Sequence, residues 1–331
     1  MTKKRQERKR KKEEKQQKKL NQNIERAERQ KILLEEADVS EMSTQQKIWI
    51  YTRMVIYAAK PFIVYMITPA IAIAIGGFLY YGGSFTENTE FLDSAMNFYS
   101  FIGILLALWY LRRNSKKRGT TVAEDVSISF KELDKKVLWL LFAGGFCASF
   151  AISAFLTLLP DTWTASYDAM SGRIFNGYDV VLVVLSISIL DPIAEELVFR
   201  GYMLNRLLPR LKETKAVWAV TIIFALCHLS PWWILYGIAI GWILAKISIR
   251  HDNILYSMVL HIGFNIPSVI FFLISYNENL NDILFGTKLL ILCYLLIFGG
   301  IVFFIVKAYC ENQNIDFEIK KYSKDKKRRE N

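Results

Sequence analysis

Charge is missing from long stretches of this chain and crowded into the segments between them. Residues 61–86 run for 26 positions without Asp, Glu, Lys or Arg, 137–160 for 24, 253–277 for 25 and 289–306 for 18, and 95–111 is likewise charge-free. A helix needs about 20 apolar residues to cross a hydrocarbon layer of about 30 Å. A soluble chain would instead spread its charge along its length. The expected fold class is therefore all-α, a polytopic membrane helix bundle. Composition agrees, because 53% of the 331 residues are apolar and mean hydropathy is +0.22 even though the net charge is +11. A chain this apolar is not intrinsically disordered. Cys147, Cys227, Cys293 and Cys310 stand singly with no CxxC spacing, so neither a zinc ribbon nor a disulfide scaffold is indicated.

Five spans follow directly from those stretches. Residues 216–245 are charge-free for 30 positions, about 45 Å as one helix and too long for one ordinary crossing. Ser230-Pro231 in the middle supplies a break, since proline disfavours helical geometry before it and lacks an amide proton. That makes two spans, and 178–208, an apolar run that then carries Asp191, Glu195, Glu196 and Arg200, completes about eight. Lysine and arginine bias sets the orientation. Residues 112–136 hold eight Lys/Arg and 206–215 hold four, whereas 82–93 and 275–287 hold none and 161–177 only Arg173. Both termini are expected on the cytoplasmic side.

The domain plan is a basic N-terminal arm over 1–47, a transmembrane domain over 48–310 and a basic tail over 311–331. Residues 1–20 contain eleven Lys/Arg, and no Pro or Gly precedes Pro61, so the arm is either helical or disordered without interruption. A long polar arm ahead of the first apolar run does not fit a signal peptide. The arms read as cytoplasmic anchors touching anionic lipid, with no nucleic acid expected as a partner. The core shows no internal repeat, which weighs against a transporter built from inverted halves.

Charges inside a span are costly and usually mark function. Glu196 and Arg200 are four apart with the acid first, the favourable order for an ion pair on one helix face. Glu195 points about 100° away and has no partner in its own helix, which leaves it for chemistry as a general base. Two of the three histidines, His228 and His261, fall in spans. His261 shares a helix face with Asn265, and Phe224 lies one turn before His228. Glu195 is 13 residues, about 20 Å, from the cytoplasmic end of its span at Leu208; His228 is equally far from Lys215, and His261 is nine residues, about 14 Å, beyond Asp252. A carboxylate, two imidazoles and an amide in one layer form a hydrolytic set, with base and histidine for a water, histidine and amide for an oxyanion. Asp191-Pro192 reads as a kink with Asp191 at the edge of the cavity. Trp232 and Trp233 read as aromatic packing at a helix end, and His251 as solvated in a basic turn.

The ordered set Glu195-Glu196-x-x-x-Arg200, Phe224-x-x-x-His228 and His261-x-x-x-Asn265 resembles the CPBP family of intramembrane endopeptidases, also called the Abi or CAAX-protease family, over residues 178–270. The resemblance implies that Glu195 and His228 activate the attacking water, that His261 and Asn265 stabilise the oxyanion, and that Glu196 and Arg200 are structural. It also implies a membrane-embedded or membrane-associated peptide substrate. Family members include prenyl-protein endopeptidases, bacteriocin self-immunity proteins and peptide-signal processors.

Glu195, His228 and His261 could alternatively be three zinc ligands with water in the fourth position. A metal-free mechanism with no cofactor is the preferred expectation, because no His-Glu-x-x-His motif is present and Asn265 is a better oxyanion donor than zinc ligand. A non-catalytic or moonlighting immunity or scaffold protein is the other functional class, and a proton-coupled transporter a third. The Lys-, Ile- and Asn-rich composition reads as bacterial, placing the chain in the cell membrane.

Overall fold

The computed structural model of the chain describes residues 3–32, 34, 38–40, 42–81, 89–175, 180–275 and 277–313. Among these residues there is no strand. The helices run α1 (Lys3–Lys31), α2 (Thr44–Tyr81), α3 (Thr89–Lys117), α4 (Val122–Asp125), α5 (Lys135–Leu158), α6 (Asp161–Phe175), α7 (Val180–Leu185), α8 (Asp191–Glu195), α9 (Asn205–Leu207), α10 (Glu213–Leu226), α11 (Pro231–His251), α12 (Ile254–Ser275), α13 (Glu278–Phe285) and α14 (Lys288–Asn312). Two π-helical stretches, Ser186–Leu190 and Glu196–Leu204, join α7 to α8 and α8 to α9. The N-terminal arm is helical over α1. The expected basic tail beyond residue 313 lies outside the described residues.

Among the described residues, five helices are long and apolar enough to cross a membrane: Thr44–Phe78, Lys135–Leu158, Pro231–His251, Ile254–Ser275 and Lys288–Asn312. The other three expected spans, α3, α10 and the segment from α7 to α9, are helical. Helix α10 has 14 residues, about 21 Å, short of the hydrocarbon thickness. The segment from α7 to α9 is interrupted by π turns and carries five charged residues, Asp191, Glu195, Glu196, Arg200 and Arg206. The break expected near Ser230-Pro231 is present, since α10 stops at Leu226 and α11 starts on Pro231. Leu229 between them adopts the left-handed conformation (φ 60°). Large apolar side chains lie bare on these helices, including Leu289 (73% exposed) and Phe304 (67%). Faces of this kind belong against lipid rather than water.

The described residues group into two compact units, one from Met1–Ser129 and Ser166–Leu255, the other from Phe130–Ala165 and Tyr256–Asn331. In the first, α2 packs on α3, and α10 forms a hairpin with α11. The stretch Glu196–Leu204 runs through the middle, touching α2, α10 and α11, and every one of its residues is buried. Its sequence, ELVFRGYML, is apolar around most of its circumference, which is what a central segment requires. Gly201 permits a close approach, because a Cβ there would stand 2.5 Å from Val126 Cβ. The segment after α3 is tied down by Asp125, which pairs with Arg118 and accepts from Thr120 Oγ1 at 3.0 Å. Thr121 and Glu124 form a capping box on α4.

In the second unit α5 packs along α14. Asp134 caps α5, accepting from the amides of Lys136 and Val137, and its own amide donates to Tyr256 Oη at 2.9 Å. Helices α5 and α12 approach through glycines. A Cβ on Gly145 would lie 2.3 Å from the Leu260 carbonyl oxygen, and one on Gly263 would lie 2.4 Å from that of Phe142. Small residues at such crossings let membrane helices gain contact along their backbones. Gly263→Ala should therefore force α5 and α12 apart, at a cost of about 1–3 kcal/mol, seen as a lower thermal-unfolding midpoint in detergent. Gly299→Ala, which meets nothing within 4 Å, should leave the midpoint unchanged.

Candidate active site

The acidic motif sits where the helix is least regular. Helix α8 places Asp191 and Glu195 one turn apart, with a π stretch on either side. Pro192 contributes no amide hydrogen, so the preceding turn loses one backbone bond and widens, and π turns of this kind recur at functional sites. The kink expected at Asp191-Pro192 thus takes the form of π-helical turns.

Glu196 and Arg200 pair as expected, Nη1 to Oε1 at 2.6 Å, with both side chains fully buried. Arg200 does more than close this pair. Its Nη2 donates to the Gly241 carbonyl of α11 at 3.1 Å, and its guanidinium lies over the Phe224 ring of α10 at 4.3 Å. One side chain therefore fastens the central stretch to both arms of the hairpin. Gly241 lets it in, because a Cβ there would stand 2.9 Å from the Phe224 ring. Gly241→Ala is expected to cost about 1–3 kcal/mol, measured as a drop in unfolding midpoint.

Phe224 is held between Arg200 and the histidine that follows it in the motif. Its ring meets Phe199 edge-on at 5.2 Å and His228 at 5.0 Å. His228 is not inside a helix as expected but in the turn after α10, its amide bonding back to the Ala225 carbonyl at 3.1 Å. The helix ends early because the chain is already turning toward Pro231. His228 Nδ1 lies 3.0 Å from the Phe224 carbonyl oxygen. A carbonyl can only accept, so in the neutral ring Nδ1 carries the proton and Nε2 keeps its lone pair. Trp233 faces the same imidazole at 6.4 Å, and Tyr167 meets Trp233 at 6.0 Å.

Glu195 has partners from outside its own helix. The Tyr65 hydroxyl of α2 hydrogen-bonds its carboxylate, and Asp191 also lies within electrostatic reach of Tyr65. Cys227, the residue before His228, and Arg200 likewise feel the Glu195 charge. The carboxylate therefore stands beside the turn that carries His228. Tyr65 was not singled out in the sequence; a hydroxyl in a charge-free run is its only signal, and such tyrosines are common. Tyr65→Phe removes this hydrogen bond to a charged group and should cost about 1.5–3 kcal/mol, read as a lower unfolding midpoint.

His261 and Asn265 belong to the second unit, on α12. His261 is buried (3% exposed), and Asn265 follows one turn later, its carbonyl accepting from Ser268 Oγ at 2.6 Å. Five motif residues thus lie in the first unit and two in the second. As a zinc set, the first unit offers Glu195 and His228, and among the described residues no group of three His, Cys, Asp or Glu side chains is arranged to hold a metal ion.

Residues 177–267 match the family model described as Rce1-like, type II CAAX prenyl endopeptidase Rce1-like. No curated protein and no solved structure matched the chain.

Proposed function

We propose, from the match of residues 177–267 to the Rce1-like, CAAX-protease family model, that the chain is an intramembrane endopeptidase that hydrolyses membrane-associated peptides with a water activated by Glu195 and His228. The observation that supports this most is the bond fixing His228 Nδ1 on the Phe224 carbonyl, which turns Nε2 toward other work. Glu195 takes a proton from the water while Nε2 orients it by accepting the second hydrogen. The hydroxide adds to the scissile carbonyl carbon. His261 and Asn265 donate to the oxyanion that forms, a role in which each lost donor typically costs about 3–4 kcal/mol. The proton held by Glu195 then passes to the leaving nitrogen as the C–N bond breaks. The products are a new carboxylate and a new amine, and the atoms of one water are accounted for.

In the same reading the chain crosses the membrane eight times with both termini on the cytoplasmic side. The Lys/Arg-rich 112–136 and 206–215 segments support it. Substrate class is tested with the full chain in detergent, incubated with membrane-derived peptides and with farnesylated and unmodified CAAX peptides, the products read by mass spectrometry. Cleavage of any of these sets at internal peptide bonds supports the proposal, and preference for the farnesylated set would assign the prenyl substrate. Intact peptides in every set would count against it.

A further inference from the structure

A second feature of the first unit lies away from the motif residues. Helices α1, α2 and α3 surround a cavity of about 550 Å³ whose lining includes Arg26, Arg53, Lys60, Lys117, Arg118 and Arg206, and no acidic side chain. Arg118 is neutralised by Asp125. Arg206 is buried (7% exposed), its Nη1 donating to the Tyr57 carbonyl at 2.7 Å while its guanidinium stacks over the Tyr57 ring at 3.9 Å. It forms no ion pair with a carboxylate among the described residues, and the acid acting on it, Asp125, is already paired with Arg118. Arg26, Arg53, Lys60 and Lys117 likewise enter no described ion pair, and Glu25 and Glu28 of α1 stay outside the lining. Five cations without a described ion pair around one cavity repel one another, and a multivalent anion relieves that repulsion. Arginine forks match phosphate oxygens in particular.

The position of the cavity along its helices indicates where the phosphate comes from. Lys60 immediately precedes the charge-free run 61–86, and Lys117 follows the charge-free run 95–111 by six residues, about 9 Å. This is the level at which lipid phosphates border the hydrocarbon. Below the mouth the surface turns apolar. Ile56 lines the cavity, and Ile63 and Ile67 continue the same face of α2 at 48% exposure each, with Leu106 of α3 at 47%. We propose that this cavity binds a phosphate group, supplied by the headgroup of an anionic lipid whose acyl chains run down the Ile63–Ile67 face.

The test uses the full chain in neutral detergent, with the unfolding midpoint followed during titration of phosphatidylglycerol, phosphatidylcholine or inorganic phosphate. Phosphatidylglycerol should raise the midpoint and phosphatidylcholine should not. Arg53→Gln with Lys60→Gln, both exposed and outside the hydrophobic core, should weaken the apparent affinity by about ten- to thirtyfold. Lys11→Gln with Lys15→Gln, on α1 but outside the lining, should leave it unchanged. Saturation by inorganic phosphate that blocks the lipid effect would uphold the phosphate site and assign it a soluble ligand. Equal responses to the two lipids, or equal loss in both variant pairs, would overturn the proposal.

Discussion

Glu195→Gln is expected to reduce peptide hydrolysis by at least about 10²–10⁴-fold, the range that a positioned general base contributes. Gln keeps the shape and can still accept the Tyr65 hydroxyl, so the protein should remain folded while losing the group that receives the proton from water. The effect should fall on kcat more than on KM, because the carboxylate acts on the water rather than on the peptide. A protein whose role is binding or immunity alone would tolerate the same change. Unchanged cleavage by a folded Glu195→Gln protein would remove Glu195 from the reaction.

Arg200→Ala should be the most destabilising single change, at about 3–5 kcal/mol, because it strands the buried Glu196 carboxylate without its cation. It also removes the donor to the Gly241 carbonyl and the cation lying on Phe224. Arg200→Lys is not a conservative rescue, since one ammonium cannot make both the forked contacts and the stack. Glu196→Gln combined with Arg200→Met should recover much of the loss, because replacing both partners leaves no bare buried charge. Unfolding midpoints of the three variants measure this directly. A midpoint for Arg200→Ala equal to wild type would show that the pair is not holding the hairpin.

The pair itself was legible in the sequence, because four-residue spacing with the acid first needs nothing but helix geometry. So was the break at Ser230-Pro231, where charge-free length and proline chemistry agree. The resemblance to the CAAX-protease family rested on motif order, and the family match over residues 177–267 agrees with it. What stayed hidden depends on backbone detail or on distant partners. The π turns around α8 come from local hydrogen-bond register, which residue types do not encode simply. Placing His228 within a helix assumed that α10 runs on to the proline, whereas the chain leaves the helix at Leu226. Tyr65 meets Glu195 from a helix 130 residues away in sequence, and Gly241 serves through its carbonyl, which every residue possesses. Of the eight crossings expected from charge-free length, five appear among the described residues as helices long and apolar enough to span.

The most direct test of the metal-free glutamate reading compares cleavage of membrane-derived peptides by the purified full chain with and without a strong chelator, beside Glu195→Gln and with bound metal assayed in parallel. Equal cleavage with and without chelator, loss in the glutamine variant and no stoichiometric metal are expected. Cleavage abolished by chelator and restored by added zinc would contradict it.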